Sequence, residues 1–400
     1  MDGTLKEDWL ENEIPYESQP DYFKAFYRTG YTLMNTVAFD GGNETTTFRA
    51  SVTSQNSSGI YPNNDMKKQT VNLAGSSKFG KSIELNAKIN YIHNNVNNRP
   101  YLAEDPANAG WSLGAMPRNV VLQSVEDNAM AADGSEQWAW DRTASNPYWT
   151  MENKQNNDEK NRLQGLLSIK FDLSEKFNLL LRSGLDLTNR NAKEYVAAGS
   201  YNHNSYLGSM SQSFSNSYEW NTDFLFNYKQ SLGSSVKLNL SLGGNYRYDQ
   251  WKGIGQSGSD WKVPDFFHMS NLQNYSTWES LSQKEVLSLY GIGTVSFKNY
   301  LYFDLTYRND WSSTLPADNS SYSYYSGNLS FLFTEAFNIR SSVLSKGKVR
   351  ASVARVGNDA GAYQTTNYYS VGQSSFSYPV GGMSSRLAFQ DFKPEITDSW

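Results

Sequence analysis

Along most of this chain apolar and polar residues alternate one by one. In "SIELNAKINYI", Ile83, Leu85, Ala87, Ile89 and Tyr91 fall on one side of an extended backbone, and Glu84, Asn86, Lys88 and Asn90 on the other. The same period of two runs through "KFNLLLRSGLDLT", where Phe177, Leu179, Leu181, Leu185 and Leu187 oppose Asn178, Arg182, Asp186 and Thr188. In "VKLNLSLGGNYRYD" it sets Val236, Leu238, Leu240, Leu242, Tyr246 and Tyr248 against Lys237, Asn239, Ser241, Asn245, Arg247 and Asp249. Side chains alternate faces in a strand, so each stretch predicts a strand with one apolar side.

Similar runs occupy residues 30–40, 46–55, 66–76, 162–172, 218–229, 285–297, 300–309, 322–333 and 347–356. The total is about twelve strands, several close to the ~10 residues of a tilted membrane strand. Their connections alternate in length. "DGGNET", "SSKFGK", "DLSEK", "QSLGSS" and "FKN" are short, while 97–160, 190–215, 250–284 and 357–385 are long. The links at 56–65 and 310–321 are intermediate and fall in the long series; "TEAFNIRSSVLSKG" falls in the short series with room for one helical turn. A soluble sandwich has no reason to place long loops at every second connection. A membrane β-barrel does, because its periplasmic turns are short and its extracellular loops long. The fold class expected is therefore all-β, an antiparallel transmembrane β-barrel. Phe79, Phe171, Phe177, Phe297, Tyr300 and Tyr302 gather beside the short turns and predict an interfacial girdle.

Composition agrees. Aromatic residues make up 14% of the 400 residues and charged residues 19%, a mixture that favours strands over helices. Mean hydropathy is −0.64, and no apolar run approaches the roughly 18 residues of a membrane helix. Alternating barrel strands keep the average hydrophilic, so this does not count against a barrel. The chain has no cysteine, which removes disulfides and thiolate metal sites, and a net charge of −5, which argues against a nucleic-acid partner. The N-terminus "MDGTLKEDWLENEIPYESQP" carries no signal-peptide pattern.

Two motifs suggest nucleotide chemistry and lose it in context. "GSSKFGKS" at 75–82 matches the phosphate loop G-x-x-x-x-G-K-S, but the residues after Ser82 alternate in twos rather than opening a helix, which places Gly80 and Lys81 in a hairpin turn. "GIGQSG" at 253–258 matches G-x-G-x-x-G but leads into Pro264 without helical periodicity, and reads as a flexible glycine-rich loop. His93, His203 and His268 are too scattered to suggest a metal site, and no nucleophile motif occurs. Neither enzyme activity nor a cofactor is expected.

Candidate binding chemistry lies in the long connections. Trp111, Trp138, Trp140, Tyr148 and Trp149 fall in the first, and Trp251, Trp261 and Trp278 between 250 and 284, beside Phe266, Phe267 and Tyr275. Flat aromatic faces near Asp, Asn and Arg suit sugar rings or peptides. The competing role for each is packing that holds a long loop in shape.

Several stretches resemble the SusC/RagA type of TonB-dependent outer-membrane transporter. They are "YRNDWSSTLP" (307–316), "LSFLFTEAF" (329–337) and "LSKGKVRASVARVGND" (344–359), supported by "NTVAFDGGNETTTFRASV" and "NYIHNNVNNRPYL". The resemblance runs from about residue 8 to the end. It implies an importer in the outer membrane of a Gram-negative bacterium, with a 22-stranded barrel around an N-terminal plug. TonB acts through the plug, and a SusD-like surface lipoprotein covers the mouth. Oligosaccharides or peptides are the implied ligands, and outer-membrane lipid the surroundings. On this reading residues 1–29 lead into the barrel after a missing plug, and residues 30–400 are a partial barrel truncated at its C-terminal end. A passive porin, or a surface-loop adhesin or carbohydrate-binding protein, is the alternative.

Overall fold

In the computed structural model, residues 5–7, 13–15, 17–138, 143–200, 206–373, 378–383, 387–389 and 391–400 are described. A two-stranded ribbon, β1 (Leu5–Glu7) with β2 (Glu13–Pro15), is followed by one helical turn, α1 (Tyr22–Phe26). The sheet then begins with β3 (Tyr31–Gly42), β4 (Thr46–Ser58), β5 (Asp65–Phe79) and β6 (Ile83–Asn97). Three short helices, α2 (Ala109–Ala115), α3 (Leu122–Asp127) and α4 (Pro147–Asn153), fill the first long connection. Four very long strands follow: β7 (Lys154–Asp172), β8 (Phe177–Val196), β9 (Ser209–Leu232) and β10 (Val236–Trp261). β11 (Leu272–Phe297), β12 (Leu301–Ser312), β13 (Ser321–Phe331), α5 (Phe333–Ala336) and β14 (Val349–Asn358) continue the series. A small hairpin of β15 (Tyr369–Gln373) and β16 (Pro379–Met383) precedes β17 (Glu395–Ser399).

Thirteen strands form one antiparallel sheet in the order β17-β14-β13-β12-β11-β10-β9-β8-β7-β6-β5-β4-β3. Every hydrogen-bonded neighbour from β3 to β14 is also a sequence neighbour. The strand beyond the expected twelve is β17, whose "EITDS" is too short and polar to register as an alternating run. It pairs with β14, Glu395 opposite Asn358.

Pairing is residue for residue, so faces never switch. Between β10 and β11, Val236 opposes Phe297 and Ser259 opposes Asn274 with no residue gained or lost between them. Since a slip of one residue would turn every side chain over, this register carries one apolar face across the whole sheet. Leu73, Ile89, Gly165, Leu185 and Trp220 share it through successive pairings. So do Phe224, Gly244, Leu289 and Asn309. The exposure of Leu73, Ile89, Phe224, Leu240, Leu242, Leu289 and Leu305 matches a surface covered by lipid.

The apolar band has aromatic borders. Beside the short turns lie Phe79, Phe171, Phe177, Phe297 and Phe331, with Phe177 stacked on Phe226 and Tyr228 and Tyr300 packed edge-on against Phe297 and Phe331. Trp220, Tyr246, Tyr307 and Trp311 mark the other border, Trp220 lying edge-on to Tyr246. Val236 to Tyr246 spans roughly 33 Å along the strand, or about 25 Å tall once the strand tilts, the height of a barrel's apolar belt. Tyr302 departs from the expected girdle. It opposes Ser296 and Ser330 on the polar face, and its hydroxyl donates to the Asn299 carbonyl.

The turns at the narrow end are tight. Gly80 (φ +63°) and Gly233 (φ +66°) adopt left-handed conformations, as do Lys298 and Asn299 in the turn between β11 and β12. Asn43 Oδ1 accepts from the Thr45 and Thr46 amides and closes the turn between β3 and β4. "GSSKFGKS" is thus the end of β5 followed by the turn Gly80–Ser82 that leads into β6, with no helix to hold phosphate. The longest connection at this end holds α5, the helical turn expected there.

At the other end the structure departs from the expected loops. Residues 190–215 and 250–284 are mostly strand, leaving only 197–208 and 262–271 between strands. "GIGQSG" lies inside β10, not in a flexible loop. These extensions stand above the apolar band with water on both faces, so selection for one apolar side lapses and the period-two signal fades with it.

Leu240 sits near the middle of the apolar band, whereas Asn86 sits on the polar face of β6. Leu240→Arg is expected to destabilise the membrane-embedded protein by about 2–4 kcal/mol, and Asn86→Arg by no more than about 0.5 kcal/mol. The temperature at which heat-modifiable migration is lost in detergent measures both.

Candidate functional site: the inner wall and the structured rim

The polar face of the sheet is the candidate transport surface, and many of its charges are paired with one another. Arg162 makes two hydrogen bonds to Asp186, which also accepts from Gln164 Nε2 at 3.0 Å. Arg182 Nε donates to Asp223 Oδ1 at 2.9 Å, and Arg247 contacts both Asp249 (2.9 Å) and Glu219 (3.3 Å). Arg308 Nε donates to Asp310 at 2.7 Å, and Tyr324 donates to the other oxygen of the same carboxylate at 2.8 Å. Asp304 accepts from Thr294 and Asn328. Arg162–Asp186, Arg182–Asp223 and Arg247–Glu219 bridge neighbouring strands, where cross-strand residues sit side by side on one face, while Arg247–Asp249 and Arg308–Asp310 pair two residues apart along one strand. The result is a wall rich in hydrogen-bonding groups and ion pairs.

At its upper end the wall clamps the long connections. Asp158 on β7 receives Arg99, from the start of the first long connection, and lies 3.6 Å from Arg190 Nε of β8. Asp359, at the start of the last long connection, receives Lys284 Nζ and Ser312 Oγ, each at 2.5 Å. Tyr101 donates to Glu194 at 2.8 Å.

The first long connection is a folded module. Asn108 caps α2 by accepting from the Gly110 amide, and Asn146 caps α4 by accepting from the Tyr148 and Trp149 amides, with Pro147 supplying the first helical position. Asn146 is fully buried and also donates to the Val125 and Gln137 carbonyls, while its own amide donates to Glu136 at 2.6 Å. One asparagine thereby joins α3, α4 and the strand-like segment at 136–137. Lys154, buried at the foot of the module, donates to Ser145 Oγ; burial pushes its ammonium below the ordinary lysine value, and Glu136, Asp105 and Glu194 pull it partly back.

The chain before β3 is part of this rim. Tyr22 donates to the Leu113 carbonyl at 2.9 Å, Phe26 lies edge-on to Tyr148 and Tyr61, and Arg28 donates to the Gly59 and Asn64 carbonyls. Tyr22, Phe26, Tyr61, Leu113, Met116, Val125, Trp138 and Met151 form the largest core among the described residues.

The candidate aromatics divide by what touches them. Trp138 (7% exposed), Trp149 (1%) and Trp261 (4%) have their faces taken by packing. Trp149 packs with Ala129 and Ala197 and donates from Nε1 to Gly134; Trp261 packs with Met210 and Leu272 and donates to Val196. Tyr148 is half buried against Phe26, and its hydroxyl is pushed up to about 12 by burial and the nearby Glu126 charge. Trp111 (36%), Trp251 (38%) and Trp278 (43%) keep an open face. Trp140 and His203 lie outside the described residues. His93 contacts Asn161, and His268 contacts Ser270.

An antiparallel sheet with one lipid-type face, a polar opposite face, tight turns at one end and a structured rim at the other defines a transmembrane-barrel wall of the outer-membrane type. Solved structures of the same fold agree. The RagAB peptide transporter superposes with a TM-score of 0.78 at 19% identity, over 94% of this chain and 42% of the matched chain. The RagAB peptide importer in its "closed-closed" state gives 0.76 at the same identity and coverage. The ferripyoverdine receptor of the outer membrane of Pseudomonas aeruginosa gives 0.53 at 10% identity, over 84% of this chain and 42% of the other. The fold is therefore that of a SusC/RagA-type barrel wall, and the chain spans about two-fifths of the RagAB chains it matches. No protein-family model matches the chain, and no curated protein matches its sequence.

Trp149 and Trp111 separate packing from exposure within one module. Trp149→Ala is expected to destabilise the rim module by about 3–5 kcal/mol, and Trp111→Ala by less than about 1 kcal/mol. Limited proteolysis across residues 98–153 distinguishes them: cleavage accelerates strongly in the first variant and stays at the parent rate in the second.

Proposed function

We propose that this chain forms much of the barrel wall of an outer-membrane importer of large nutrients, oligosaccharides or peptides. The observation that carries this reading is the continuous two-faced sheet, whose polar wall rises without interruption into a structured rim. A simple anchor needs only the membrane-spanning part of strands as long as β10 and β11, Val236 to Tyr246 in β10. The extra length supports a deep vestibule in which a large ligand is held before passage. Residues 30–400 supply this wall, and energy arrives from the inner membrane through TonB acting on an upstream plug. A SusD-like lipoprotein seated on the rim assists capture, an arrangement that the likeness to RagAB supports. The compensated charges of the inner wall favour ligands recognised by hydrogen bonding and stacking over those selected by net charge. No catalytic step is assigned.

Uptake in the native Gram-negative host tests this. Deleting the gene is expected to abolish growth on at least one member of a panel of oligosaccharides and peptides offered as sole carbon source. Disrupting TonB function is expected to have the same effect on that compound. Uptake that survives loss of TonB would identify a passive pore instead. Unchanged growth on every compound would remove the import role.

A further inference from the structure

On the inner face above the apolar band, the two open tryptophans of β10 and β11 stand together on a floor of glycine. Register fixes their side. Trp251 opposes Ser282 and Trp278 opposes Gly255, so both share the face of Asn245 and Arg247 rather than that of Leu242 and Tyr246. Gly253 and Gly255 are buried beneath them. A Cβ on Gly253 would lie 2.6 Å from Trp251 Cη2 and 2.9 Å from Trp278 Cζ3. One on Gly255 would lie 2.6 Å from Trp278 Cε2 and Nε1. The rings therefore rest across the strand backbone, and each presents its other side to the vestibule.

The surround is rich in hydroxyls, and the nearest charges on this face are held in ion pairs, Arg190 with Asp158, Arg247 with Asp249 and Lys284 with Asp359. On this face β9 carries Ser213, Ser215 and Ser217, opposite Gly255, Gly253 and Trp251. β11 contributes Ser276, Ser280 and Ser282 on the same side. Lys252 and Glu279 pair with each other on the opposite face at 2.8 Å, so they do not compete for a ligand here. Two flat π-faces bordered by small donor-acceptor hydroxyls complement a pyranose, whose axial C–H bonds form an apolar face and whose rim is hydroxyl groups. With the nearest charges already paired within the wall, the site favours an uncharged ligand over a peptide's charged termini and side chains.

We propose that Trp251 and Trp278 form a stacking subsite for a neutral oligosaccharide on the wall of the vestibule, with Gly253 and Gly255 as its required floor. The inference rests on the importer reading and adds the ligand class and the place where the ligand is held. It also gives "GIGQSG" a physical purpose: the glycines clear space for indole rings.

The test uses the full-length protein purified in detergent from outer membranes, titrated calorimetrically with neutral malto-, cello-, xylo- and manno-hexaoses and, separately, with a tryptic peptide mixture. At least one hexaose is expected to bind. Trp251→Ala with Trp278→Ala should weaken it roughly tenfold or more. Gly253→Val, which leaves both tryptophans present but lifts them from their floor, should weaken it in the same direction, and the double tyrosine variant should restore most of the affinity. Parent-like heat-modifiable migration of each variant shows that the barrel is intact. Hexaose binding unaffected by the double alanine variant overturns the subsite while leaving import standing. Binding of peptides but no hexaose overturns the ligand class and likewise spares the importer. Loss of the TonB-dependent growth phenotype alone, with the subsite binding sugar as described, would overturn the importer reading and not the subsite.

Discussion

The structure depends on keeping every backbone amide and carbonyl paired while one face of the chain meets hydrocarbon. In lipid an unpaired group has no water to turn to, and an antiparallel ladder is one of the few arrangements that leaves none within its interior. The ladder here holds a constant register between neighbours, as from Val236–Phe297 to Ser259–Asn274. Constant register forces side-chain parity, so an apolar residue on one strand commits its neighbours on both sides. The lipid surface from Leu73 through Leu185 to Leu289 and the Arg–Asp pairs on the other face are two consequences of that commitment.

The same ladder explains how the membrane-spanning wall continues into the rim. Trp261 lies fifteen residues beyond Tyr246 in an unbroken strand. Above the band the backbone still prefers its neighbours, so the sheet continues, but the outward face no longer needs to be apolar. Lys252, Gln256 and Glu279 can occupy it, while the inward face accepts serine and tryptophan. The long connections are then fastened at few points: Arg99 and Arg190 on Asp158, and Lys284 and Ser312 on Asp359. Each carboxylate serves two partners from different segments, which holds the base of a connection and leaves its tip to other contacts.

How much of this is legible in the sequence follows from where the membrane acts. Strands crossing lipid are plain, because hydrocarbon enforces a period of two, and the short turns are plain because Gly80, Gly233 and Asn43 supply the required geometry. "SQSFSNS" and "GIGQSGS" are strands too, but with water on both sides nothing enforces alternation, and glycine and serine imitate a loop. The helices of the rim have only six or seven residues, too few for a helical period to emerge. Their signal lies at their ends, in the Asn146-Pro147 pair and in Asn108. Tyr302 shows the limit of composition, since an aromatic residue beside a turn joins the lipid girdle only if its parity allows it.

The aromatic residues make the same point about function. Trp149 and Trp278 are alike in composition, both in connections that read as long loops, yet one is sealed against Ala129 and Ala197 and the other rests on Gly255 with a face exposed. What separates them is the neighbour across the strand or helix, a relation that sequence spacing does not contain until register is known. Once it is known, the small residues become as informative as the large ones. A glycine under an indole and a serine beside it describe a surface shaped around flat rings, whereas an alanine closing over an indole describes a core. The glycines that imitate a dinucleotide motif therefore carry the more specific message when read against β11 rather than along β10.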